Sequence, residues 1–436
     1  MTPAVNHLIR FKPMARSLPS APVPHLRTGD SARQPVGAGL FLMVDSWPAN
    51  ARATTVIASV DCTGSKLAGV TCCDSGPSIP KSLPIKGQAG HLPQVREQVC
   101  RLKVLIAGGA GFIGSTVASA CLDSGIVPVI LDNLVTGRRE FTTDRIFYEG
   151  DIADAALLDA VFADHPDIEA AIDCAALIVV PESVADPLRY YTENVAKGIQ
   201  FLGHLRRNNC RRLLFSASAS IYATGDDFTV DEGSPVDPLS PYARTKAVFE
   251  TALRDIAAAG EMQVASLRYF NPIGADPTMR TGLQVRRPTH ALGKMVEAMT
   301  TGEKFMVTGV DWPTRDGSGI RDYVHVWDLA QAHIKALRRF DELVATGDTP
   351  GYQVVNLGTG TGTTVRELLS AFEAVTGRPL PSVETGRRPG DNAGSYTRSE
   401  RAAKLLGWRP QHSLEEGIRH TLQWFERRDR VLSAGD

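Results

Sequence analysis

The segment Lys103-Val-Leu-Ile-Ala-Gly-Gly-Ala-Gly-Phe-Ile-Gly114 decides the fold of this chain. An apolar run of strand length leads into a glycine turn, and a helical pattern follows from Ser115 to Leu122. Glycine lets the backbone turn sharply and approach a pyrophosphate, and the start of the helix then meets the negative charge. The order of strand, glycine turn and helix therefore predicts a dinucleotide site.

A second apolar strand, Val127-Pro-Val-Ile-Leu131, ends at Asp132. This carboxylate follows Gly114 at the spacing at which an adenosine ribose offers its hydroxyl groups, and it would repel a ribose phosphate. We therefore predict NAD as the cofactor. A surface carboxylate at a strand end is the simpler alternative, but the glycine turn and the spacing together favour the cofactor site.

Further strand-like runs recur at the spacing of an α/β protein. They cover residues 145–148, 170–174 and 212–215, with helical segments at 155–162 and 191–205. This alternation predicts a doubly wound parallel sheet. Ligands of such sheets lie at the carboxyl ends of the strands, so Asp151, Ala175, Ala176 and residues 216–218 should line the cofactor crevice.

The segment Ser240-Pro-Tyr-Ala-Arg-Thr-Lys246 predicts the start of a helix, with Ser240 as its cap and an end near Ala259. Tyr242 and Lys246 then lie one turn apart on one face. A tyrosine base near neutrality needs a pKa about 3 units below its usual ~10, which Lys246 and an oxidised nicotinamide ring could both promote. Such a pair alone is more often an amphipathic helix edge, but the dinucleotide site upstream favours catalysis.

Composition excludes several classes of function. Of 436 residues, 43% are hydrophobic, and 47 basic side chains face 48 acidic ones, so no overall field attracts nucleic acid or an anionic membrane. No apolar run approaches the roughly 18 residues of a membrane span. The seven cysteines lack metal-ligand spacing. We predict a cytoplasmic enzyme with no metal, no membrane segment and no nucleic-acid partner.

The first hundred residues differ from the rest of the chain. They contain 11 of the 27 prolines, which disrupt helical and strand periodicity alike, so we predict a mostly disordered extension. A targeting peptide is an alternative that the prolines disfavour. A misplaced start is another: no methionine occurs between Met43 and Met262, and the pattern of a folded domain begins at Arg101.

Six motifs resemble the UDP-galactose (UDP-glucose) 4-epimerase family of the extended short-chain dehydrogenase/reductase superfamily. They are G-G-A-G-F-I-G at 108–114, S-A-S-A-S-I-Y at 216–222, S-P-Y-A-R-T-K at 240–246, L-R-Y-F-N-P at 267–272, D-G-S-G-I-R-D-Y-V-H-V-W-D-L-A at 316–330 and R-R-P-G-D at 387–391. The resemblance implies a Rossmann-type NAD domain at 101–270. A smaller mixed α/β domain that binds the nucleotide sugar would follow at 271–436, with 322–340 returning to pack on the first domain.

The resemblance also implies a role for each matching residue. Tyr242 would be the base at carbon 4 of the sugar, Lys246 would tune it, and Ser218 would bridge it to the substrate, while bound NAD takes and returns a hydride through a transient 4-keto sugar. The implied cofactor residues are Gly108, Gly111, Phe112, Ile113, Gly114, Asp132, Asn133, Asp151, Ile152, Ala175, Ala176, Asn194, Tyr242, Lys246 and Tyr269. The implied residues for the UDP-sugar are Ser218, Tyr242, Phe270, Asn271, Arg321, Arg388, Asp391 and Ser395. A homodimer is implied as well.

Two positions depart from the family pattern. Ile178 stands where a lysine often reaches the cofactor, so one NAD contact is missing or replaced. Ser395 stands at the position that gates sugar size, and its small side chain leaves room for an N-acetyl group. We therefore expect turnover of UDP-N-acetyl sugars as well.

Two alternatives compete with epimerisation. A nucleotide-sugar 4,6-dehydratase or decarboxylase shares the fold, NAD and the Tyr–Lys pair, but usually places an acid directly after the serine or threonine, whereas Ala219 and Ser220 follow Ser218 here. A non-catalytic NAD-sensing regulator should have lost Tyr242, Lys246 or Ser218, and all three are present.

Overall fold

The computed structural model describes residues 102–388, 391–398 and 400–432. The predicted extension at 1–100 lies outside these residues. The strands are β1 Lys103–Ala107, β2 Val127–Asp132, β3 Ile146–Glu149, β4 Ile168–Asp173, β5 Arg212–Ser218, β6 Thr229–Val230, β7 Gln263–Tyr269, β8 Asn271–Ile273, β9 Phe305–Thr308, β10 Ile320–Arg321, β11 Tyr323–His325, β12 Tyr352–Leu357, β13 Thr363–Thr364, β14 Ser382–Thr385 and β15 Tyr396–Thr397.

Helices connect these strands. They are α1 Phe112–Asp123, α2 Ala155–Asp164, α3 Val180–Ala185, α4 Pro187–Tyr191, α5 Lys197–Arg207, α6 Pro241–Ala258, α7 Ala291–Thr301, α8 Val326–Arg338, α9 Phe340–Ala345, α10 Val365–Thr376, α11 Glu400–Leu406 and α12 Leu414–Val431. No helix in the described part of the chain is both long and apolar enough to cross a membrane.

Seven parallel strands form the main sheet, in the order β12-β7-β5-β4-β1-β2-β3. The order of the strands runs outward from β1 in both directions, which confirms the predicted α/β doubly wound fold. Side chains alternate along β1, so Val104 and Ile106 face the core beneath α1 and α8, while Leu105 and Ala107 face the core beneath α2, α5 and α6. Both faces are buried, as parallel sheets require.

Local signals in the sequence fix the starts of several elements. Ser240 caps α6 by accepting a hydrogen bond from the amide of Ala243 at 3.2 Å, and Pro241 occupies the first helical position, as predicted. Thr364 and Glu367 form a reciprocal capping box at α10. The predicted helix at 191–205 is instead α4, a π-helical turn at Thr192–Ala196, and α5.

In the described residues, the rest of the fold consists of four two-stranded sheets and the helices around them. A separate core joins α7, α10 and α12 through Leu292, Met295, Phe372 and Ile418. The chain also crosses back to the main sheet, because α8 packs in the core beside α1 and β12 supplies the seventh strand. The segment 271–436 thus contributes to both parts, and the domain boundary at 270 stays a prediction.

Candidate active site

The glycine turn between β1 and α1 is shaped by close backbone contacts. Gly108 has φ of +71°, and a Cβ there would lie 2.7 Å from the backbone nitrogen of Ala175. A Cβ at Gly114 would lie 2.3 Å from the carbonyl oxygen of Gly108. Gly111 is the N-cap of α1, and Phe112 and Ile113, both partly exposed, begin the helix. The turn therefore leaves a bare helix N-terminus at the carboxyl end of the sheet.

Asp132 ends β2 in this cradle. Its carboxylate accepts hydrogen bonds from the amides of Ala110 at 2.9 Å and Leu134 at 2.8 Å. Burial raises the pKa of Asp132, although these two bonds act in the opposite direction. Each oxygen keeps a second lone pair, so the carboxylate can still accept the hydroxyl groups of a ribose.

A cleft of about 280 Å³ opens beside the cradle. Eight of the predicted cofactor residues line it: Gly108, Gly111, Asp132, Asn133, Asp151, Ile152, Ala175 and Ala176. The glycine cradle, the carboxylate of Asp132 and the cleft fit NAD, whose adenosine end the cleft would hold.

The cleft also contains charged residues that we did not predict from the sequence. Lys197 donates to Asp151 at 2.7 Å and to Glu193 at 2.8 Å, and Arg189 lines the same cleft. Burial raises the pKa of Asp151, but the hydrogen bonds from Lys197 and Ala153 outweigh it and leave that pKa lowered. The four-residue spacing of Glu193 and Lys197 was the signal that could have placed them on one helix face.

Asn194 positions Leu177, which lines the cleft. It lies in the π-helical turn, accepts from the amide of Leu177 at 2.8 Å and donates to that residue's carbonyl oxygen at 2.9 Å. It also donates to the hydroxyl of Thr245 on α6 at 3.1 Å. Asn194 therefore ties the loop after β4 to the helix of Tyr242. Its predicted contact with the cofactor stays a prediction.

The predicted reactive residues meet at the end of β5. Ser218, the last residue of β5, acts on the phenol of Tyr242, and its hydroxyl lies 2.9 Å from that of Ser220. Burial raises the pKa of Tyr242, while the neighbouring Ser218 hydroxyl opposes this rise. The protein alone therefore does not make Tyr242 a ready base, which is consistent with the predicted need for the positive nicotinamide ring.

Lys246 is buried one turn further along α6. Its ammonium donates to the carbonyl oxygen of Ser216 at 2.8 Å and lies 4.7 Å from the ring centroid of Phe215. Burial lowers the pKa of Lys246, and the charge of Asp173 acts against this. Asp173 is a site residue that sequence reasoning missed, although it stands at the end of β4 next to the crevice.

Tyr269 ends β7 beneath the same region. It is buried, and its hydroxyl is hydrogen bonded to Nε2 of His333, whose Nδ1 lies 2.8 Å from the carbonyl oxygen of Leu329. Burial raises the pKa of Tyr269 well above its usual value and lowers that of His333 to about 4. Since Leu329 also belongs to α8, this pair fixes β7 to the returning helix.

Arg321 is the central cation of the predicted nucleotide site. Its guanidinium donates to the carbonyl oxygens of Ile320, Ala393 and Asn392 at 2.7, 2.8 and 3.2 Å. The described residues give it no carboxylate partner. Arg321 forms no ion pair with the neighbouring Asp322 or Asp316 of the described chain. Asp322 instead accepts from Thr359, Gly360 and Thr397, and Asp316 accepts from Ser318 and Thr364.

Gly394 makes room for this arginine. Its φ is +100°, and a Cβ there would lie 1.8 Å from the carbonyl oxygen of Ile320 and 1.9 Å from Nη1 of Arg321. The charge of Arg321 is thus held in place by backbone and keeps its attraction for an anion.

The remaining predicted nucleotide residues make other contacts. Arg388 donates to Asp391 through Nε at 2.9 Å and through Nη2 at 3.2 Å, and the charges of both residues act on Arg321. Asn271 lies on β8, where its amide donates to the carbonyl oxygen of Asp322 at 2.9 Å. Phe270 packs against the small apolar cluster of Ala219, Ile221 and Tyr222, and Ser395 is partly exposed beside Gly394.

Together, the sheet, the glycine cradle and the Ser–Tyr–Lys arrangement define an NAD-dependent enzyme of the short-chain dehydrogenase/reductase type. The sequence model described as the NAD-dependent epimerase/dehydratase family matches residues 104–358. The UDP-glucose 4-epimerase of Rhizobium leguminosarum bv. trifolii is 41% identical over 322 residues, which cover 74% of this chain and 96% of that protein.

Solved structures are similar over the same part of the chain. UDP-glucose-4-epimerase from Stenotrophomonas maltophila, with bound NAD and formylated UDP-arabinopyranose, has a TM-score of 0.71 and 35% identity, covering 76% of this chain and 100% of that one. The UDP-Glc/GlcNAc 4-epimerase of Campylobacter jejuni has a TM-score of 0.63 and 31% identity, with 75% and 99% covered. The chain therefore belongs to the NAD-dependent epimerase/dehydratase family, among relatives that are UDP-glucose 4-epimerases, which confirms the resemblance found in the sequence.

Proposed function

We propose that this enzyme inverts carbon 4 of a UDP-sugar and so interconverts UDP-galactose and UDP-glucose. One observation carries the proposal: Ser218 at the end of β5 acts on Tyr242, and Lys246 lies one turn further along α6 with its ammonium on the carbonyl oxygen of Ser216. The glycine cradle and Asp132 would hold NAD, which would supply reversible hydride transfer at carbon 4, with the hydride returned to the opposite face of the ring.

Tyr242 and Ser218 move the proton that accompanies this exchange. Tyr242 accepts the proton of the carbon 4 hydroxyl as the ketone forms and returns it as the hydroxyl is restored, so that no proton is gained or lost overall. Ser218 holds the sugar oxygen against the tyrosine through its hydroxyl. Lys246, fixed on the carbonyl oxygen of Ser216, supplies the nearby positive charge that favours the phenolate.

The nucleotide part of the substrate is assigned to the second group of residues. Arg321 and Arg388 would pair with the diphosphate, Asp391 would accept from the ribose of the uridine, and Phe270 and Asn271 would complete the wall. The backbone-held guanidinium of Arg321 supports this assignment, since it is a charge without a carboxylate partner in the described residues.

Dehydration or decarboxylation is disfavoured by the groups around Ser218. Both reactions move a further proton and usually need an acid beside the serine. Here the neighbours are the buried Ala219 and Ser220, whose hydroxyl is already bonded to Ser218. These side chains suit a simple exchange of hydride at carbon 4.

The proposed substrate range includes UDP-N-acetyl sugars. The small side chain of Ser395 beside Gly394 and the similarity to the Campylobacter jejuni enzyme support this extension. Assays at equal concentrations of UDP-galactose and UDP-N-acetylgalactosamine will test it, with Ser395→Tyr expected to lose the second activity alone. Absence of N-acetyl turnover by the unaltered enzyme removes the extension.

A cytoplasmic location and a homodimer belong to the same proposal. The free thiols of Cys121, Cys174 and Cys210 suit a reducing compartment.

Exposed apolar side chains on helices α3 to α6, including Leu188, which is 77% exposed, support an association surface for the proposed homodimer. Sedimentation of the full chain will measure the oligomeric state.

The direct test of the proposed function uses purified enzyme and UDP-galactose without added NAD. UDP-glucose should form, and Tyr242→Phe should lower kcat by about 10²–10⁴-fold because the proton acceptor is lost. Tyr148→Phe is the matched control, since that hydroxyl bonds to Asp164 away from the site. If the sugar is not epimerised, or if Tyr242→Phe keeps the full rate, the proposal is wrong.

A further inference from the structure

Three histidines from different parts of the chain meet away from the candidate active site. His325 ends β11 and caps α8, His412 lies in the turn before α12, and His420 lies on α12. Each offers one ring nitrogen, and these three atoms lie within 4.8 Å of one another. We call this group the three-histidine cluster.

The hydrogen bonds of His412 prepare one of these nitrogens. Nδ1 of His412 lies 2.8 Å from Oδ1 of the buried Asp328, and a carboxylate can only accept, so Nδ1 carries the proton. The other oxygen of Asp328 accepts from the amides of Gln411 and His412 at 2.9 and 3.0 Å. Nε2 of His412 therefore keeps its lone pair, in the carboxylate–histidine arrangement that metal sites use.

The other two rings already approach each other through nitrogen atoms. Nε2 of His325 lies 2.9 Å from Nδ1 of His420, while Nδ1 of His325 accepts from the amide of Trp327 at 3.0 Å. The ring of His325 also stacks on that of His412, with 4.2 Å between centroids. Three imidazoles so close cannot all be protonated, and burial with mutual repulsion lowers the pKa of His325 to about 3 and also lowers that of His420.

We propose that the three-histidine cluster binds one divalent transition-metal ion, with Zn²⁺ as the expected occupant. The ligand atoms are Nε2 of His325, Nε2 of His412 and Nδ1 of His420, and water completes four-coordination. Three neutral imidazoles suit zinc, copper or nickel, whereas magnesium and calcium prefer oxygen ligands. This site revises our expectation from the sequence that the protein has no metal.

Binding requires one local rearrangement. His325 must free Nε2, so its proton moves to Nδ1 and the cap bond from Trp327 is given up, with no net release of a proton. Tetrahedral geometry places the ligand nitrogens about 3.3 Å apart, so His412 moves closer and the other pair opens slightly. Gly274 packs directly against Nε2 of His325, where a Cβ would lie 2.5 Å away, so the ion must enter from the side of the partly exposed His412 and His420.

The position of the cluster gives the ion a structural role. β11 pairs with β8, which carries Asn271, and it follows Arg321 by two residues. A metal that joins His325 to His412 and His420 would fasten α12 to these short strands. The surrounding charges are Asp328, which holds His412, together with Glu416 and Arg419, which act on the rings from α12.

The test uses the full chain without a histidine tag, stripped with EDTA and titrated with ZnCl₂ in a calorimeter. We expect one equivalent to bind and Tm to rise with added zinc. His412→Gln and His420→Gln should each weaken binding at least 10-fold and suppress the rise in Tm, while His204→Gln, a control on α5, should keep both. Both test variants alter partly exposed side chains, and circular dichroism will verify that they fold.

Cobalt gives a second readout at the same site. Co²⁺ bound to the stripped chain should show the strong visible bands of a four-coordinate ion, and the double variant H412Q/H420Q should lack them. The proposal is overturned if no stoichiometric binding occurs, or if binding survives in that double variant, since the ion would then lie elsewhere on the chain.

Discussion

The two halves of the candidate site are built in different ways. The cofactor half lies at the carboxyl ends of β1, β2 and β4, where glycine backbone and strand-end residues form one cleft. The nucleotide half lies on the two-residue strand β10 and the loop of Asp391 to Ser395, where Arg321 is held by carbonyl oxygens and Arg388 by Asp391.

In the cofactor half, backbone geometry fixes the positions of the residues. In the nucleotide half, the positions of the arginines depend on the contacts of their side chains. A long buried strand determines where its last residue lies, so the cofactor half is rigid before any ligand binds. An exposed Arg–Asp pair contributes little stability and is easily exchanged for a better partner such as phosphate. We expect substitutions in the first half to affect retention of NAD and those in the second half to affect KM.

The largest effect should come from Gly114→Ala in the cofactor half. The new Cβ would lie 2.3 Å from the carbonyl oxygen of Gly108, so the turn must open and the pyrophosphate loses its cradle. We expect NAD content, measured by absorbance after denaturation, to fall at least 10-fold. Gly203→Ala on α5 is the control, because its Cβ would meet nothing within 4 Å. Full NAD content in the Gly114 variant would contradict the rigid-cradle view.

Gly394→Ala is the matching test in the nucleotide half. Its Cβ would displace the guanidinium of Arg321, and a lost charge-assisted bond costs about 1.5–3 kcal/mol, or roughly 10- to 150-fold in KM for the UDP-sugar. NAD content should stay unchanged. Gly386→Ala nearby meets no atom within 4 Å and should keep the original KM. Loss of NAD from the Gly394 variant would show that the two halves of the site do not act independently.

The contrast between strand-end positions and side-chain contacts also explains which parts of the site could be predicted from the sequence. Residues of the motif at 108–114, together with Asp132, Asp151, Ala175 and Ala176, line one cleft because chain direction and sheet topology fix where they lie. The carbonyl partners of Arg321 and the meeting of His325 with His412 and His420 were not predictable, since they join segments whose separation along the chain carries no periodic signal. Lys197 and Asp173 were missed because charge alone does not distinguish a cleft from a surface.

Asp173→Asn should show how much the buried carboxylate of Asp173 lowers the free energy of unfolding. Burial raises the pKa of Asp173 to about 6, although Lys246 and the amide of Ala175 oppose the rise. The unfolded carboxyl group ionises near pH 4, so the free energy of unfolding falls as pH rises from about 4 to about 6, by up to about 3 kcal/mol. The variant should therefore have a higher Tm than the parent at pH 7.5 but not at pH 4.5. An equal difference in Tm at both values of pH would show that folding does not shift the pKa of Asp173.

Ile178→Lys should give the smallest effect. It tests whether the absence of a charge at position 178 limits retention of NAD. Ile178 is 65% exposed and follows Leu177, which lines the cleft and is held on both sides by Asn194. An ammonium there can reach the cofactor phosphates through water, and an exposed contact of this kind contributes about 0.2–1 kcal/mol. We expect bound NAD to exchange with labelled NAD up to about 5-fold more slowly, with the gain disappearing in high salt. Ile178→Gln supplies similar length without charge and should exchange at the original rate. If lysine and glutamine behave alike, the loss of a charge at position 178 does not limit retention of the cofactor, and the cleft of Asp132 and Asp151 holds NAD without it.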